Sequence, residues 1–475
     1  MGLVFVLLLF VLNSQADYRC RIYRDDGEIN HLKGEKKWDV FACMGYIHAR
    51  DRAFQMEYFR RIAQGKMAEV LGYGFIRSDF FLRLLDLTSH AQRLYDEMDD
   101  EDKKWLDSYA AGVNRGFIAG VSDSYQFKEL GIVPAPWKPQ DSILLFLLQA
   151  FDQTRKSFFN EITESGMLEK YSGDIYTTAP WQTTILKKGE YPVRKRISQK
   201  TTLKKDLPQI LDYLGDLTEF SMGSNNWVVA PRRSKSQNAW FANDPHLKIT
   251  HPPFWYWIHL TGKGWEAMGA SVPGLPTIPG GFNGKLAWGL TNAYVDVADV
   301  ALIDEKELKD VETLRPVIYF KFWGVKLPFF FKSFRRTKEG YPVLPVEAKK
   351  DHAYVLKWSG FFLKGPDLPP LYRILKAKNA KEMDDMLAKV GLPTWNYVFA
   401  DTRGKIGYRA IGKLPFREGD VPPGVKEQKL ADFSKPFRFF KKDEAPHILN
   451  PSRGYIATAN NRQWGDDSRY HPGNS

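Results

Sequence analysis

The chain has 475 residues, of which 43% are hydrophobic and 14% aromatic, so it has enough apolar side chains for a sizeable core and is not a disordered polypeptide. Its formal net charge of +12 would attract nucleic acid or anionic surfaces. The basic residues are, however, spread over 187–205, 326–338 and 435–442, and no helix-turn-helix, RNP or zinc-knuckle pattern organises them. A solvated basic face is the better interpretation, and no nucleic-acid partner is expected.

The first residues have the features of a secretory signal peptide. An apolar run extends from Leu3 to Leu12, and Asn13-Ser14-Gln15-Ala16 then supplies small residues where a signal peptidase cuts. We therefore predict an exported protein, periplasmic or secreted, whose mature chain begins near Asp17. A buried strand is the alternative for this run. No other stretch is apolar over a sufficient length to span a membrane, so no stable membrane insertion is expected.

Cys20 and Cys43 follow this segment and are the only cysteines in the chain. An oxidising compartment would permit a disulfide between them. The sequence does not decide whether the two side chains meet, so a bridge and two independent buried thiols both remain open.

Helical periodicity dominates the first half of the chain. Residues 38–72 alternate apolar and charged positions at helical spacing, and Gly72-Tyr73-Gly74 ends the pattern. Helices are also predicted over 100–120 and 138–157, the second opening at Pro139-Gln140-Asp141. We therefore expect a mostly helical first half.

After Ser224 the sequence changes to short β-rich runs separated by Gly, Pro and Asn. These runs are 227–230, 239–242, 255–260, 286–291, 354–358 and 405–410. The second half is therefore predicted to be mostly sheet. Between the halves, 187–223 is rich in Lys and Arg, with an amphipathic helix predicted around 207–217.

A serine in an unusual context lies where the second half begins. Gly223-Ser224-Asn225-Asn226-Trp227 opens a β-like run, and the loop Asn243-Asp244-Pro245-His246 follows it. If the bond before Ser224 is broken, this residue supplies both a hydroxyl nucleophile and an α-amino base, whose unperturbed pKa is about 7.7 to 8.0. Gly223 lacks a Cβ and can adopt the strained backbone that such a cut needs. Without this context, Ser224 would be an ordinary strand-edge serine.

These residues resemble those of the penicillin and cephalosporin acylases and the acyl-homoserine lactone acylases. Members of this family are N-terminal-nucleophile hydrolases that cut themselves before a Ser-Asn-x-Trp segment. The similar segments, in chain order, are 44–57, 60–61, 68–72, 224–229, 273–276, 284–292 and 459–461. Several separate matches in the right order make coincidence an unsatisfactory explanation.

The resemblance implies an α+β fold, the αββα N-terminal-nucleophile hydrolase sandwich, with a mostly helical N-terminal part. It divides the precursor into a signal peptide (1–16), a helical α-chain part (17–190), a spacer peptide (191–223) and a β-chain part (224–475). The α and β chains of one precursor would then form a heterodimer. For the basic spacer, a connector that stays in place is the alternative to a removed peptide.

The resemblance also implies four active-site residues. Ser224 is the nucleophile, and His246 orients the site by hydrogen bonding to the serine hydroxyl or to a carbonyl. The backbone N–H of Asn292 and the side-chain amide of Asn460 are the oxyanion donors, with Asn461 as the fallback for Asn460. The alternatives are a structural histidine at 246 and a simple turn at 460–461.

A structural calcium ion is a further implication of the resemblance. Glu161, Asp296, Asp299 and the Ala298 carbonyl match the calcium ligands of penicillin acylase, and oxygen ligands of this kind are those that calcium prefers. The ion would tie the helical half to the sheet half. For the remaining acidic ligand beyond Asn461, Asp466, Asp467 and neither of the two all remain open, and scattered surface carboxylates are the alternative to the whole site.

We therefore expect an amidohydrolase that cleaves the linear amide of an N-acyl small molecule through an acyl-serine intermediate. Acyl-homoserine lactones, β-lactam side chains and other N-acyl compounds all remain open as substrates. Leu247 stands where phenylacetyl-selective members place an aromatic residue, which argues weakly against a phenylacetyl group. The chain ends soon after Asn461, where the family continues, so a fragment or a shortened member is expected.

Two rival functions belong to other classes. One is an acylase-like scaffold that has lost catalysis and serves as a binding protein. The other is a basic protein that binds membranes or polyanions through Phe329-Phe330-Phe331-Lys332 and 437–442, and whose binding is salt-dependent and survives loss of Ser224. For each of these aromatic–basic runs, a β-strand with one solvated face is the simpler interpretation.

Overall fold

The computed structural model describes residues 18–153, 221–247, 249–330, 333–345, 351–418, 425–461 and 470–471. Several parts of the sequence analysis lie outside these residues. They are the predicted signal peptide, the end of the predicted helix 138–157, most of the predicted spacer, Glu161, Asp466 and Asp467.

The first part of the described chain is mainly helical. Its helices are α1 (Asp39–Ala63), α2 (Ala68–Leu71), α3 (Ile76–Leu85), α4 (Leu87–Asp96), α5 (Asp100–Asp123), α6 (Tyr125–Leu130) and α7 (139–153). Later in the chain follow the short helices α8 (Pro370–Arg373), α9 (Ala380–Leu387) and α10 (Leu430–Phe433). The helix predicted over 38–72 is broken, because the chain turns at Gly65 with φ of +60°. Asp99 caps α5 by accepting a hydrogen bond from the Asp102 N–H over 2.7 Å.

Helices α1 and α5 pack against each other at very short range. Three glycines on one face of α5 allow this approach. A Cβ placed on Gly112, Gly116 or Gly120 would lie only 1.7, 2.2 or 2.1 Å from a backbone carbonyl oxygen of α1. The spacing of these glycines, one per turn, lets the two backbones meet along a continuous seam.

The largest sheet has nine strands in the order β1-β2-β5-β6-β7-β8-β16-β17-β20. These strands are β1 (Cys20–Arg24), β2 (Asn30–Gly34), β5 (Tyr256–Gly262), β6 (Trp265–Val272), β7 (Leu275–Phe282), β8 (Leu286–Asn292), β16 (Trp395–Asp401), β17 (Ile406–Ala410) and β20 (His447–Leu449). All neighbours are antiparallel except the parallel pair β2 and β5.

A second sheet of three strands lies over β8 and β16 of the large sheet. Its order is β21 (Tyr455–Thr458), β3 (Ser221–Val229) and β4 (Trp240–Leu247). The other face of the large sheet carries α1 and α5. The site described below therefore lies in a layered arrangement of helices, large sheet and small sheet.

The remaining strands form one mixed sheet and two small ribbons. The mixed sheet contains β10 (Glu312–Leu314), β13 (Phe334–Arg336), β14 (Pro342–Val343), β15 (His352–Trp358), β9 (Ala298–Asp304) and β19 (Lys426–Glu427). The ribbons are β11 (Val317–Phe322) with β12 (Val325–Phe330), and β18 (Arg417–Glu418) with β22 (Tyr470–His471). In the described part of the first aromatic–basic run, Phe329 packs inward from β12 and Phe330 is exposed, as expected for a strand with one solvated face. Residues 331 and 332 lie outside the described residues.

These observations confirm the predicted α+β class, and each of the six predicted β-rich runs lies within or overlaps a strand. They also decide between the alternatives for the cysteines, because Cys20 and Cys43 form a disulfide that joins β1 to α1. Within the described part of the chain, we find no helix with the length and apolarity required to cross a membrane.

Candidate active site

The central strand of the small sheet, β3, carries Ser224. Side chains alternate along this strand, so Ser224 and Asn226 are buried towards the large sheet while Asn225 and Trp227 face outwards. In the antiparallel pair with β4, Ser224 lies opposite Pro245, and Gly223 lies opposite His246. Strand β21 pairs with the other edge of β3 and leads directly into Asn460.

Ser224 is held through both its backbone and its side chain. Its N–H donates to Asn460 Oδ1 over 2.5 Å, and its hydroxyl donates to the Gly223 carbonyl oxygen, also over 2.5 Å. The serine is 6% exposed. Gly223 has φ of +155°, a conformation that residues with a Cβ rarely adopt. The serine hydroxyl is therefore held against the carbonyl group of the bond that precedes it.

Asn460 joins Ser224 to the end of β8. Its Nδ2 donates to the Asn292 carbonyl oxygen over 2.7 Å while its Oδ1 accepts from Ser224. Asn460 is 8% exposed and has φ of +60°, a left-handed conformation that asparagine tolerates. The fallback residue Asn461 accepts a hydrogen bond from the Ala459 N–H over 2.9 Å and closes a turn. The structure thus brings Ser224, Asn460 and Asn292 together.

His246 lies beside the same peptide bond but faces solvent. Its Nε2 is 2.8 Å from Asp244 Oδ2 and 3.3 Å from Asn225 Nδ2, and its side chain is 44% exposed. A Cβ built on Gly223 would lie 3.6 Å from both His246 Nδ1 and Asn460 Oδ1, so the two side chains flank the bond before Ser224. In this uncut chain the imidazole hydrogen-bonds to Asp244 and Asn225, while the serine hydroxyl bonds to Gly223.

An apolar cleft of about 280 Å³ lies beside β4, the strand that pairs with β3. Pro245, which lies opposite Ser224, forms part of its wall. The aromatic lining residues are Phe241, Trp255, Trp257, Phe282 and Trp288. A cleft of this size and character suits an apolar group of a small molecule.

Asn243 joins β4, which forms one wall of this cleft, to β8 of the large sheet. The sequence analysis did not assign this role. Asn243 Nδ2 donates to the Leu290 carbonyl over 2.9 Å, and its Oδ1 accepts from the Leu290 N–H over 3.1 Å. Gly289 makes room for this side chain, since a Cβ there would lie 2.4 Å from Asn243 Oδ1. The segment Asn243-Asp244-Pro245-His246 was predicted to be a loop, but it is the end of β4 and pairs with β3. The sequence pointed to this segment but not to the strand that Asn243 contacts.

A comparison with known proteins identifies the family. The family model described as penicillin amidase matches residues 19–475. The chain belongs to the penicillin amidase family.

Named relatives agree with this assignment. The chain is 28% identical to an acyl-homoserine lactone acylase QuiP of Pseudomonas fluorescens, over 89% of this chain and 54% of that protein. It is 26% identical to penicillin G acylase of Escherichia coli, over 97% of this chain and 61% of that protein. A solved thermostable penicillin G acylase from Alcaligenes faecalis aligns at 25% identity with a TM-score of 0.45, over 52% of this chain and 45% of that chain.

These alignments also define how much of a penicillin amidase is present. The chain spans little more than half the length of the curated relatives it matches. The match nevertheless includes the segments that carry Ser224, His246, Asn292 and Asn460, because the family model extends from residue 19 to residue 475.

The residues predicted to bind calcium lie at the start of β9. Asp296 Oδ1 accepts a hydrogen bond from the Ala298 N–H over 3.4 Å. Asp299 lies opposite Lys357 on β15, whose buried Nζ is 3.8 Å from Asp299 Oδ2 and donates to the Phe433 carbonyl over 3.0 Å. No group of three or more His, Cys, Asp or Glu side chains in the described ranges is arranged to hold a metal ion. The oxygens are of the kind that calcium prefers, but the ammonium beside Asp299 repels a second cation, so these residues alone do not fit the ion.

Proposed function

We propose that this member of the penicillin amidase family is an exported acylase that activates itself by cutting before Ser224. One observation carries the proposal. The Ser224 hydroxyl contacts the Gly223 carbonyl, and the Ser224 N–H is hydrogen-bonded to Asn460. Ser224 thus presents a nucleophilic hydroxyl and a nitrogen that becomes a base after the cut, and the Asn460 side-chain amide lies beside them as a hydrogen-bond donor. An amide hydrolase needs these three elements.

In the first step the Ser224 Oγ attacks the Gly223 carbonyl carbon. The O–C bond forms, the C–N bond breaks, and the proton lost by the hydroxyl moves to the departing nitrogen, which becomes an amine. Water then hydrolyses the resulting ester, releasing the Gly223 carboxylate and restoring the serine hydroxyl. Gly223 has no Cβ, so it can hold the positive φ at which its carbonyl oxygen contacts the Ser224 hydroxyl.

The freed α-amino group is the base for the second reaction. It has an unperturbed pKa of about 7.7 to 8.0, so part of it is neutral near pH 7 and accepts the hydroxyl proton, directly or through water. The serine oxygen attacks the substrate amide, and the oxyanion binds to Asn460 Nδ2 and the Asn292 N–H. The amine leaves with a proton, and water hydrolyses the acyl-serine to a carboxylic acid.

The apolar cleft beside Pro245 supplies the acyl site in this proposal. Its walls are aromatic and aliphatic, so it favours an uncharged acyl group over a charged or strongly polar one. The substrate is an N-acyl small molecule such as an acyl-homoserine lactone or a β-lactam with an acylated amine. The two chains produced by the cut remain together as a heterodimer.

The test is the intact mass and N-terminal sequence of the purified protein beside its Ser224→Ala variant. We expect a new chain beginning Ser-Asn-Asn-Trp in the wild type and an uncut chain in the variant. Hydrolysis of hexanoyl- and dodecanoyl-homoserine lactone and of phenylacetyl-p-nitroanilide then measures the acylase activity. A single uncut chain in both proteins, without amide hydrolysis, contradicts the proposal.

A further inference from the structure

Five buried polar side chains form one continuous hydrogen-bonded chain between the two sheets, behind the candidate site. Tyr408 OH donates to Asn396 Oδ1 over 2.8 Å, and Asn396 Nδ2 donates to Thr291 Oγ1 over 3.2 Å. The hydroxyls of Thr291 and Thr458 are 2.8 Å apart, and Thr458 Oγ1 bonds to Asn226 Oδ1. None of the five residues is more than 5% exposed.

The protons in this chain have one consistent direction. A hydroxyl has a single proton, and that of Thr458 goes to the Asn226 carbonyl oxygen. Thr291 must therefore donate to Thr458, and it accepts in turn from Asn396. Burial raises the pKa of Tyr408 far above its usual value, so its phenol stays neutral and remains a donor.

Three of the four site residues, Ser224, Asn292 and Asn460, have a member of this hydrogen-bonded chain one or two positions away in sequence. Thr291 directly precedes Asn292 on β8, and Thr458 ends β21 just before Asn460. Asn226 follows Ser224 on the same face of β3. Ser224 and Asn292 therefore lie on strands that this hydrogen-bonded chain connects, and Asn460 follows a third such strand.

The link to the oxyanion donors is also direct. Asn396 Nδ2 lies 3.5 Å from the Asn292 carbonyl oxygen, which is the acceptor of Asn460 Nδ2. The Asn396 amide thus contacts both Thr291 and the carbonyl that holds Asn460. A shift of Thr291 moves the two oxyanion donors relative to Ser224.

This hydrogen-bonded chain of side chains is not arranged for maximum stability. It ends at Asn226, whose Nδ2 is buried and has no hydrogen-bond partner among the described residues. Buried polar networks that leave a donor unsatisfied are no more stabilising than apolar side chains of the same shape. Departures of this kind concentrate at functional sites, where geometry matters more than stability.

We propose that Thr291, acting through Thr458 and Asn396, is a positioning residue for the oxyanion donors Asn460 and Asn292. The inference rests on the proposed acylase function and deepens it. Thr291 does not touch the substrate. Its hydroxyl keeps the small sheet in register with the large sheet, so that the amide of Asn460 faces the carbonyl held on Ser224.

The kinetic test compares Thr291→Val, which keeps the shape and removes the hydroxyl, with Thr291→Ser, which restores the hydroxyl. Thr277→Val is the matched control, because Thr277 is an equally buried threonine in the large sheet whose hydroxyl bonds to Leu371 instead. We expect Thr291→Val to lower kcat by about 10- to 100-fold with little change in KM, since a small misplacement of catalytic groups has effects of this size. Thr291→Ser restores most of the rate, and Thr277→Val leaves kcat nearly unchanged.

A second readout does not depend on activity. In the uncut Ser224→Ala background, the amide of residue 224 can still donate to Asn460 Oδ1, and its exchange is followed in a peptide that spans 223–229. We expect exchange about tenfold faster with Thr291→Val than with Thr277→Val, because local opening becomes easier where the partner is displaced.

The outcomes separate the two proposals. If the wild type cuts itself and hydrolyses amides while Thr291→Val behaves like Thr277→Val in kcat and in exchange, the positioning role is wrong and the acylase function stands. If the wild type neither cuts nor hydrolyses, the acylase function is wrong, and amide exchange still decides whether Thr291 positions Asn460. Loss of kcat in Thr291→Ser equal to that in Thr291→Val also overturns the role of the hydroxyl.

Discussion

Two contacts in this molecule, one within the helical layer and one between the two sheets, are built in different ways. Helices α1 and α5 meet through Gly112, Gly116 and Gly120, which bring backbone against backbone, and one polar contact, between His48 and Tyr109, lies in the same seam. The small sheet meets the large sheet through side-chain amides and hydroxyls, including those of Asn243 and Thr458. The steric fit of the two helix backbones determines the first contact, whereas the directions of side-chain hydrogen bonds determine how the two sheets meet.

This difference indicates which changes affect stability and which affect activity. Several departures from ordinary backbone and hydrogen-bonding geometry lie at the sheet contact. They include the φ of +155° at Gly223, the left-handed Asn460 and the unpartnered Nδ2 of Asn226. Such features destabilise a fold locally and persist where geometry serves a function. We therefore expect damage in the helical seam to unfold the protein, and damage at the sheet contact to impair catalysis first.

The largest effect is expected from Asn460→Ala. This change removes the amide that contacts both Ser224 and Asn292, so we expect kcat to fall by about 10²- to 10³-fold, the usual result of losing an oxyanion donor. Asn461→Ala is the control, because that side chain closes a turn at Ala459. Steady-state hydrolysis of an N-acyl substrate measures both variants. Equal losses of kcat would mean that the turn, and not the Asn460 amide, supports catalysis.

In the helical seam, the expected loss is one of stability. Gly112→Ala places a Cβ 1.7 Å from the Ala42 carbonyl oxygen, so α1 and α5 must move apart. We expect the free energy of unfolding to fall by about 3 kcal/mol, as for other overpacked cores. Gly74→Ala is the control, since a Cβ there meets no atom within 4 Å. Urea denaturation followed by circular dichroism measures the difference, and equal midpoints for the two variants would contradict close backbone packing.

The sequence predicted the parts of this molecule that depend on local periodicity. The long helix α5 and the strand that carries Ser224 follow from patterns within a few residues. The candidate residues Ser224, Asn292 and Asn460 were identified from resemblance, and in the structure Asn460 hydrogen-bonds to both Ser224 and Asn292. The disulfide between Cys20 and Cys43 needed the fold, because the sequence does not show which distant segments meet.

Other features depend on pairings between distant strands, which leave no local signal. Strand β16 is buried on both faces and was not predicted, although it carries Asn396. Thr291 and Thr458 are far apart in sequence, and only the approach of the two sheets joins their hydroxyls. Lys357 likewise meets Asp299 only through the pairing of β15 with β9. Long-range register decided each of these contacts.

His48 is a polar group within the helical layer, and it predicts a pH dependence of stability. His48 is fully buried. Its Nδ1 is 2.8 Å from the Tyr109 hydroxyl oxygen, and its Nε2 is 3.0 Å from Ser271 Oγ. Burial lowers its pKa from 6.5 to about 3, with smaller and opposing effects from Asp51 and Arg52. The unfolded chain therefore binds a proton below pH 6.5 that the folded protein does not bind until about pH 3. Stability falls as the pH falls through this window.

We expect protonation of His48 in the unfolded chain to lower the free energy of unfolding by about 2 kcal/mol at pH 5 relative to pH 7.5. Asp79 acts in the opposite sense, because burial raises its pKa to about 6 and favours the folded state at lower pH. The pH dependence of the wild type must therefore be compared with that of His48→Gln, which removes the contribution of His48 and keeps that of Asp79. Urea denaturation at the two pH values measures both proteins, and identical pH dependence in wild type and variant would contradict the assignment.

The smallest effect is expected from metal removal, and it tests what connects the helical and sheet halves. A calcium ion at Asp296 and Asp299 was predicted to make this connection, but the Lys357 ammonium is 3.8 Å from Asp299 and already supplies positive charge there. We therefore expect excess chelator, and then excess calcium, to change the melting temperature by less than about 0.5 °C, which is under the shift of about 1 °C that accompanies 1 kcal/mol in a chain of this length. Differential scanning calorimetry of the wild type and of Lys357→Met measures this. A fall of several degrees in chelator that calcium reverses in the wild type would establish the ion, and would make the link between the halves a metal site instead of a buried lysine.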